Sequence, residues 1–257
     1  MNTRNPPALS LIMPCYNEEA VIGYTIPRLV QAFENSGFEL QLVACNNGSS
    51  DRTGELIRGY IAEGYPIVLK HIEINRGYGN GILESAPLCT GEWIGIIPAD
   101  GQVDAEDVVR VFESVSRSDG RVLGKVFRRF RLDGAWRVFV SRFYNLFMLA
   151  LWPGIGSHDV NGSPKIMHRS VFEAMRLESR NWLLDPEIMI KAAYMGIKVI
   201  EMNAFSRMRE QGQSHVEVMT IWSFIAVLLS FRFGKKLKTW RKQYQQGRKS
   251  DHAGTQP

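Results

Sequence analysis

Cysteine is scarce in this 257-residue chain. Only Cys15, Cys45 and Cys89 occur, odd in number and far apart, which excludes a disulfide framework and any zinc or paired-thiol redox spacing. A reducing compartment and plain packing roles are expected for them. The opening residues MNTRNPPALS contain no apolar run of the kind a signal peptide needs. The uncharged stretch VMTIWSFIAVLLSF, Val218–Phe231, is 14 residues long. As a helix it would reach about 21 Å against a hydrocarbon core of roughly 30 Å, so it cannot span a bilayer alone.

Neither charge sign dominates. Lys and Arg total 31 against 26 for Asp and Glu, a net charge of +5. That mild excess suits anionic partners (nucleic acid, phospholipid or phosphorylated substrates) without naming one. With 45% hydrophobic and 22% charged residues, the chain can bury a full core as one large domain, or as one domain with an appendage. Two nucleotide fingerprints are also missing. The glycine segment NRGYGNG (75–81) lacks the Lys-Ser/Thr of a P-loop, and it lacks the G-x-G-x-x-G spacing after a first strand that a nicotinamide dehydrogenase needs. Its glycines can instead let the backbone approach a ligand closely at a helix start.

What is present is alternation. ALSLIM (8–13), ELQLVAC (39–45), PIVLKHI (66–72) and WIGIIP (93–98) read as buried strands, separated by segments with helical spacing. Asp51 is a plausible helix N-cap, and Gly37 and Gly64 plausible stops. Strand, helix, strand repeated this way predicts a doubly wound α/β sheet. In the second half, RVLGKVF can add a strand. WRVFVSRFYNLFMLALW reads as a helix with Phe139, Phe143, Leu146, Phe147, Ala150 and Leu151 on one stripe, and strand, helix and strand follow in SPKIMHRSVFEAM, DPEIMIKAAYMG and KVIEM. After Val218–Phe231 come Lys235, Lys236, Lys238, Arg241 and Lys242. An apolar helix with a basic flank suits an anionic membrane interface, the alternative being a core helix with a solvated tail.

In open α/β sheets ligands bind beyond the carboxyl ends of the strands. Three polar clusters fall there: PCYNEE after the first strand, NNGSSD after the second and ADGQ after the fourth. Each singly is a common turn signal. Together on one rim they point to a composite ligand site.

The ordered segments LIMPCYNEEAVI, VACNNGSSDRTG, NRGYGNGILESAPLCTGEWIGIIPADGQ and QGQSHV resemble family 2 glycosyltransferases of the GT-A fold. Within that family the resemblance is to dolichol-phosphate mannose synthase and related polyprenyl-phosphate sugar transferases, and it runs from about Leu9 to Val216. It implies a GT-A type, doubly wound, mostly parallel sheet over 1–215; beyond it, composition predicts an amphipathic membrane-interface helix with basic flank at 216–242 and a disordered polar tail at 243–257. The implied reaction moves a sugar, with inversion, from a GDP- or UDP-linked donor to a polyprenyl phosphate or other lipid acceptor. The implied place is peripheral, on the cytoplasmic membrane face, with no nucleic-acid partner.

By the same resemblance Pro14, Tyr16, Asn17 and Glu18 hold the nucleotide, with Asn46, Asn47 and Asp51 near base and ribose and Gly77, Gly79 and Ala99 lining it. The family's D-x-D metal motif here reads Pro98-Ala99-Asp100-Gly101-Gln102, so the first acid is missing and Asp100 and Gln102 remain. Mg2+ and Mn2+ often take only one or two carboxylates, with substrate phosphates and waters completing the shell. Metal binding is therefore expected to be weak without donor and firm with it; a degenerate site is the alternative.

The same resemblance implies that the segments carrying Lys125, Arg128, Arg129 and Arg131, and Arg207 and Arg209, close over the diphosphate or meet an acceptor phosphate, a solvated surface charge being the alternative for each Arg; Arg128 and Arg209 are the catalytic candidates, and His215, where close relatives often have Lys, is expected to be neither metal ligand nor phosphate donor. A phosphate acceptor, with its second pKa about 6, needs no general base. A hydroxyl acceptor does, and Asp185 or Glu187 in WLLDPEIM are the candidates, although Asp185 before Pro186 is also a natural helix cap. Asp159 and Lys165 in DVNGSPKIMHR belong to the implied acceptor segment. The rival functions are transfer to a hydroxyl of a glycolipid or polysaccharide, and a catalytically silent nucleotide-sugar binder. A sugar-1-phosphate nucleotidyltransferase is disfavoured, because PCYNEE has no glycine-rich stretch.

Overall fold

The computed structural model describes residues 6–130, 135–205 and 221–253, with the side chains of 128–140, 205, 221–224 and 248–253 outside that description. Four short apolar runs become parallel strands: β1 (Leu9–Cys15), β2 (Leu40–Asn47), β3 (Ile67–Ile72) and β4 (Trp93–Ile96). Between them lie α1 (Glu19–Ser36), α2 (Thr53–Ala62) and α3 (Tyr78–Ser85), and α4 (Ala105–Ser116) follows. The second half supplies β5 (Val122–Phe130), α5 (Ala135–Leu151), β6 (Lys165–His168), α6 (Arg169–Met175), α7 (Leu184–Met195) and β7 (Lys198–Phe205). These strands form one sheet in the order β3-β2-β1-β4-β6-β5-β7, in which β6 alone runs antiparallel to both neighbours.

Burial on both faces explains the near-continuous apolar strands. Leu9, Leu11 and Met13 of β1 and Leu42 and Ala44 of β2 meet Ile22, Ile26 and Phe33 of α1 in one core, joined by Val108, Val111 and Phe112 of α4. Phe33 and Phe112 lie 6.3 Å apart, ring centre to ring centre. Gly37 ends α1 in the left-handed conformation, as its position predicts.

One local expectation is corrected. α7 opens at Leu184 with Leu183 as its N-cap, so Asp185 and Pro186 sit inside the first turn. The Asp185 carboxylate is drawn to Lys165 instead of capping the helix. On α5 the apolar stripe is divided: Phe143 and Leu146, with Leu149, face outward, Phe147 and Leu151 are half-buried, and Met148 and the following Trp152 are buried. Phe139 lies outside the described side chains.

The chain divides into two compact units, Met1–Gly212 and Gln213–Pro257. In the second, α8 (Ile221–Phe233) and α9 (Lys235–Ala253) flank Gly234. Residues 243–253 are therefore helical and not the disordered tail expected. Gln, Lys and Arg are good helix formers that continue a helix already nucleated upstream. α8 is also not amphipathic: its only polar residues are Ser223, Ser230 and Arg232, and apolar ones run all round it. Among the described residues no helix is long and apolar enough to cross a membrane.

Candidate active site

The β1–α1 and β2–α2 loops are laced together by reciprocal hydrogen bonds. The amides of Asn17, Glu18 and Glu19 donate to Ser49 Oγ (3.1 Å), Thr53 Oγ1 (2.8 Å) and Asp51 Oδ2 (3.0 Å). In return the amides of Ser50 and Arg52 donate to Asn17 Oδ1 (2.8 Å) and Glu19 Oε2 (2.9 Å). Asn17 adopts φ 55°, a left-handed conformation that asparagine tolerates better than most residues. Burial would raise the Asp51 carboxyl, but hydrogen bonds from Thr53 and Glu19 outweigh it and hold the group below its usual range. Pro14 closes this corner within β1, and Tyr16 and Glu18 are half-buried beside it.

Asn46 and Asn47 are both buried at the end of β2. Asn46 accepts from the Ser49 amide (3.1 Å) and meets His71 Nδ1 at 3.3 Å. Asn47 donates to Asn75 Oδ1 (3.2 Å) and to the Gly77 carbonyl (3.1 Å), while its Oδ1 is buried with no hydrogen-bond partner. The two amides thus brace the loops of the rim. Gly77 and Gly79 act similarly. A side chain on Gly77, at φ 107°, would strike the Arg180 carbonyl 2.6 Å away, and one on Gly79 would strike the carbonyls of Ser179 and Asn181. The close backbone approach expected toward a ligand is made to residues 179–181, and the Asn80 amide at the start of α3 donates to the Arg180 carbonyl at 2.8 Å.

Beyond β4, Asp100 and Gln102 are half-buried on a tight turn. The Gln102 amide donates to Asp100 Oδ1 at 3.2 Å, and Gly101 takes φ 65°. Ala99 is buried, its carbonyl accepting from Thr25 Oγ1 at 3.2 Å. Burial raises the Tyr78 phenol well above its ordinary value, and Asp185 and then Asp100 add to that. Tyr144 of α5 is raised well above it too, by burial and then by Asp185 and Asp159. Asp185 thus acts on both phenols, with Asp100 acting on Tyr78 and Asp159 on Tyr144.

Two lysines are buried on adjacent strands. Lys125 on β5 and Lys165 on β6 are register partners, and both are fully buried. Lys165 pairs with Asp185 Oδ1. Lys125 meets Glu201 Oε1 (3.1 Å), Ser157 Oγ (3.2 Å) and the Asp159 carbonyl. Glu187 is buried as well, accepting from the amides of Glu178 (3.1 Å) and Ser179 (2.8 Å) and pairing with Lys191 at 2.5 Å.

Burial, and then Lys165, push Lys125 down to about 8, against the pull of Asp159 and Glu201. The unfolded chain holds that proton more tightly, so this group makes stability rise as pH climbs from about 8 to 10.4, by up to about 3 kcal/mol. For Glu201, burial acts upward, but Lys125, Ser157 and the His158 amide outweigh it and lower the carboxyl. Its contribution is present above the ordinary carboxylate range and fades as pH falls through the lowered value. Calorimetry between pH 8 and 10 is expected to show a rise in Tm that Lys125→Met abolishes. An unchanged rise in the variant would assign it to another group.

Arg128 belongs to β5 through its backbone. Its side chain and that of Arg129, together with Arg131, Arg207, Arg209 and His215, lie outside the described residues. Among the described residues no three His, Cys, Asp or Glu side chains gather as a metal cage. Tyr78, Tyr144 and Trp182 escape sequence reasoning. Trp182 stacks on Tyr78 with centroids 4.7 Å apart and planes 9° from parallel. Its only signal is an aromatic three residues ahead of Asp185.

Residues 10–176 match the family model described as glycosyl transferase family 2. The chain belongs to that family. Among relatives, an undecaprenyl-phosphate 4-deoxy-4-formamido-L-arabinose transferase of Pseudomonas paraeruginosa is 31% identical over 169 residues, 65% of this chain and 49% of that protein. A dodecaprenyl-phosphate galacturonate synthase of Rhizobium johnstonii is 25% identical over 233 residues, 90% of this chain and 68% of that protein. This family 2 chain thus spans about half the length of the Pseudomonas relative. The crystal structure of glucosyl-3-phosphoglycerate synthase from Mycobacterium tuberculosis with Mn2+, UDP and glucosyl-3-phosphoglycerate superposes with a TM-score of 0.67 at 18% identity, over 89% of this chain and 80% of that one. The mixed α/β fold with a mostly parallel sheet is shared.

Proposed function

We propose that this family 2 chain transfers a hexose-type sugar from a nucleotide-sugar to a polyprenyl phosphate. The observation that carries the choice of acceptor is that both candidate bases are already engaged. Asp185 Oδ1 is held by Lys165, and Glu187 by two backbone amides and Lys191. A hydroxyl acceptor must surrender a proton to a base, whereas a phosphate monoester is largely ionised near neutrality. The names of the relatives above support the same acceptor class.

The phosphate oxygen attacks C1 of the sugar. The C1–O bond to the nucleoside diphosphate breaks, the electron pair leaves with the diphosphate, and in-line attack inverts C1. No proton moves in that step. The half-buried Asp100–Gln102 turn offers one carboxylate and one amide oxygen two residues apart, hard donors that fit Mg2+ or Mn2+ with substrate phosphates completing the shell. A divalent cation, when bound, would be held by Asp100 and Gln102 and would supply positive charge at the leaving diphosphate. The laced loops at 14–19 and 46–53 fix the nucleotide side of the rim. Peripheral binding at the cytoplasmic membrane face is part of this reading. Support for it comes from the all-round apolar α8 followed by exposed Lys235, Lys236, Lys238, Arg241 and Lys242 on α9.

The test incubates the protein and Mg2+ or Mn2+ with labelled nucleotide-sugars and a polyprenyl phosphate. EDTA-sensitive passage of label into organic solvent is expected; label that stays in water overturns the reading. Asp185→Asn is expected to slow this transfer less than tenfold, whereas loss of a general base typically removes 10²-fold or more. The larger loss would favour a hydroxyl acceptor.

A further inference from the structure

Three adjacent strands carry charged side chains at one level of the sheet. Lys125 of β5 is the register partner of Lys165 on β6 and of Glu201 on β7, and both lysines are fully buried. A buried ion pair adds little stability, because removing both charges from water offsets their attraction. Apolar side chains would join three strands at less cost. What the charged row holds beyond the sheet is therefore the more informative question.

Lys125 and Glu201 both reach residues 157–162, in the connection between α5 and β6. Lys125 Nζ donates to Ser157 Oγ at 3.2 Å and to the Asp159 carbonyl, and it meets Glu201 Oε1 at 3.1 Å. Those three acceptors match the three N–H donors of an ammonium group. Glu201 in turn accepts from the Ser157 hydroxyl and from the His158 amide, 3.2 Å from Oε1 and 3.1 Å from Oε2. The Asp159 carbonyl also takes the Gly162 amide at 2.9 Å, and the Val160 amide donates to Asn145 Oδ1 of α5 at 3.1 Å. A side chain on Gly162 would come within 2.9 Å of Lys125 Nζ, so the backbone there lies directly on the lysine. The segment is wound around one ammonium and closed by one carboxylate. The next member of the row, Lys165, holds Asp185 at the start of α7.

We infer that Lys125 and Glu201 are positioning residues for sugar transfer, holding residues 157–162 in the form that receives the phosphate acceptor. The inference rests on the phosphate-acceptor reading, in which Asp159 belongs to the acceptor segment. Both side chains act through that segment and not on the reacting atoms. Lys125 spends its donors on the protein, so it does not close over a phosphate as its place in the sequence suggested. Without the pair the acceptor itself has to order the segment, and that cost falls on acceptor binding.

The test replaces the pair with apolar side chains in the full chain, Lys125→Met/Glu201→Leu, beside Glu201→Gln, which keeps the shape and loses the charge. The double variant is expected to melt within about 4 °C of wild type, since a buried pair replaced together is often close to neutral. Deuterium uptake by the peptide spanning 157–163 should quicken about tenfold while β1 is unchanged. KM for a detergent-dispersed polyprenyl phosphate should rise about tenfold, as when one molecule in ten holds the segment in place. KM for the nucleotide-sugar and kcat at saturating acceptor should stay within about twofold, and Glu201→Gln should show the same split at about threefold. If the double variant does not fold, Glu201→Gln decides by the same two KM values. Unchanged deuterium uptake at 157–163 would mean that the pair does not hold the segment, and an equal rise in both KM values would make it merely structural. Either result overturns the inference. An active wild type whose variants keep their acceptor KM overturns this inference alone; a wild type without transfer to polyprenyl phosphate overturns the acceptor reading with it.

Discussion

Asp100→Ala is expected to reduce sugar transfer by on the order of 10²-fold or more at saturating donor, the size seen when one preorganised stabiliser of transition-state charge is removed. The reason is the thinness of the donor set. Where the family motif offers two acids, this chain has Pro98 and Asp100, and the amide of Gln102 is the other oxygen donor on the turn. Removing Asp100 takes away the only carboxylate of that motif, and the nucleoside diphosphate then has to leave with less of its charge balanced. The fold should survive. Asp100 sits on a half-buried turn, where losing the acceptor for the Gln102 amide costs about 1 kcal/mol. Melting is therefore expected to shift by no more than about 4 °C while transfer collapses. Donor-dependent metal binding, followed by Mn2+ electron paramagnetic resonance with and without nucleotide-sugar, should weaken in parallel. A variant that keeps a third of wild-type transfer with unchanged EDTA sensitivity would sink the assignment of Asp100 as the metal-holding acid.

Lys165→Met should produce the largest loss of stability, about 3–5 kcal/mol, because it leaves the Asp185 carboxylate buried without its partner. For a chain of this size that corresponds to a fall in Tm of roughly 10 °C. The double variant Lys165→Met/Asp185→Leu should recover most of it, since replacing both members of a buried pair with apolar side chains of similar volume is often close to neutral. Calorimetry on the four members of that cycle isolates the pair. If the double variant is no more stable than Lys165→Met, then Asp185 is solvated or otherwise partnered in the single variant, and the pairing is not what holds β6 to α7.

These two side chains also mark where sequence reasoning stops. The alternation of apolar runs with helical spacing, and the polar clusters at strand ends, sufficed to place Asp100, Asn46 and Asn17 on one rim, because strand polarity in a doubly wound sheet puts every such loop on the same side. The roles of individual residues were less legible. Gly77 and Gly79 look like ligand-approach glycines in a sequence, and their neighbour proves to be the backbone of 179–181, a hundred residues downstream. Asp185 before Pro186 reads as a cap until a buried lysine on β6 claims it. Glu187 reads as a base until two amides and Lys191 surround it. Trp182 carries no motif at all.

Local chemistry is written in the chain itself: which runs are apolar, where turns fall, that Pro98 stands two residues before Asp100, and hence the family and the rim that the polar clusters share. Partnership is not written there. Lys165 with Asp185 and Trp182 on Tyr78 join residues far apart in sequence, and many such pairings satisfy the same apolar pattern. Which charges and rings end up adjacent is decided only when the sheet order brings β6 between β4 and β5 and sets the start of α7 over it.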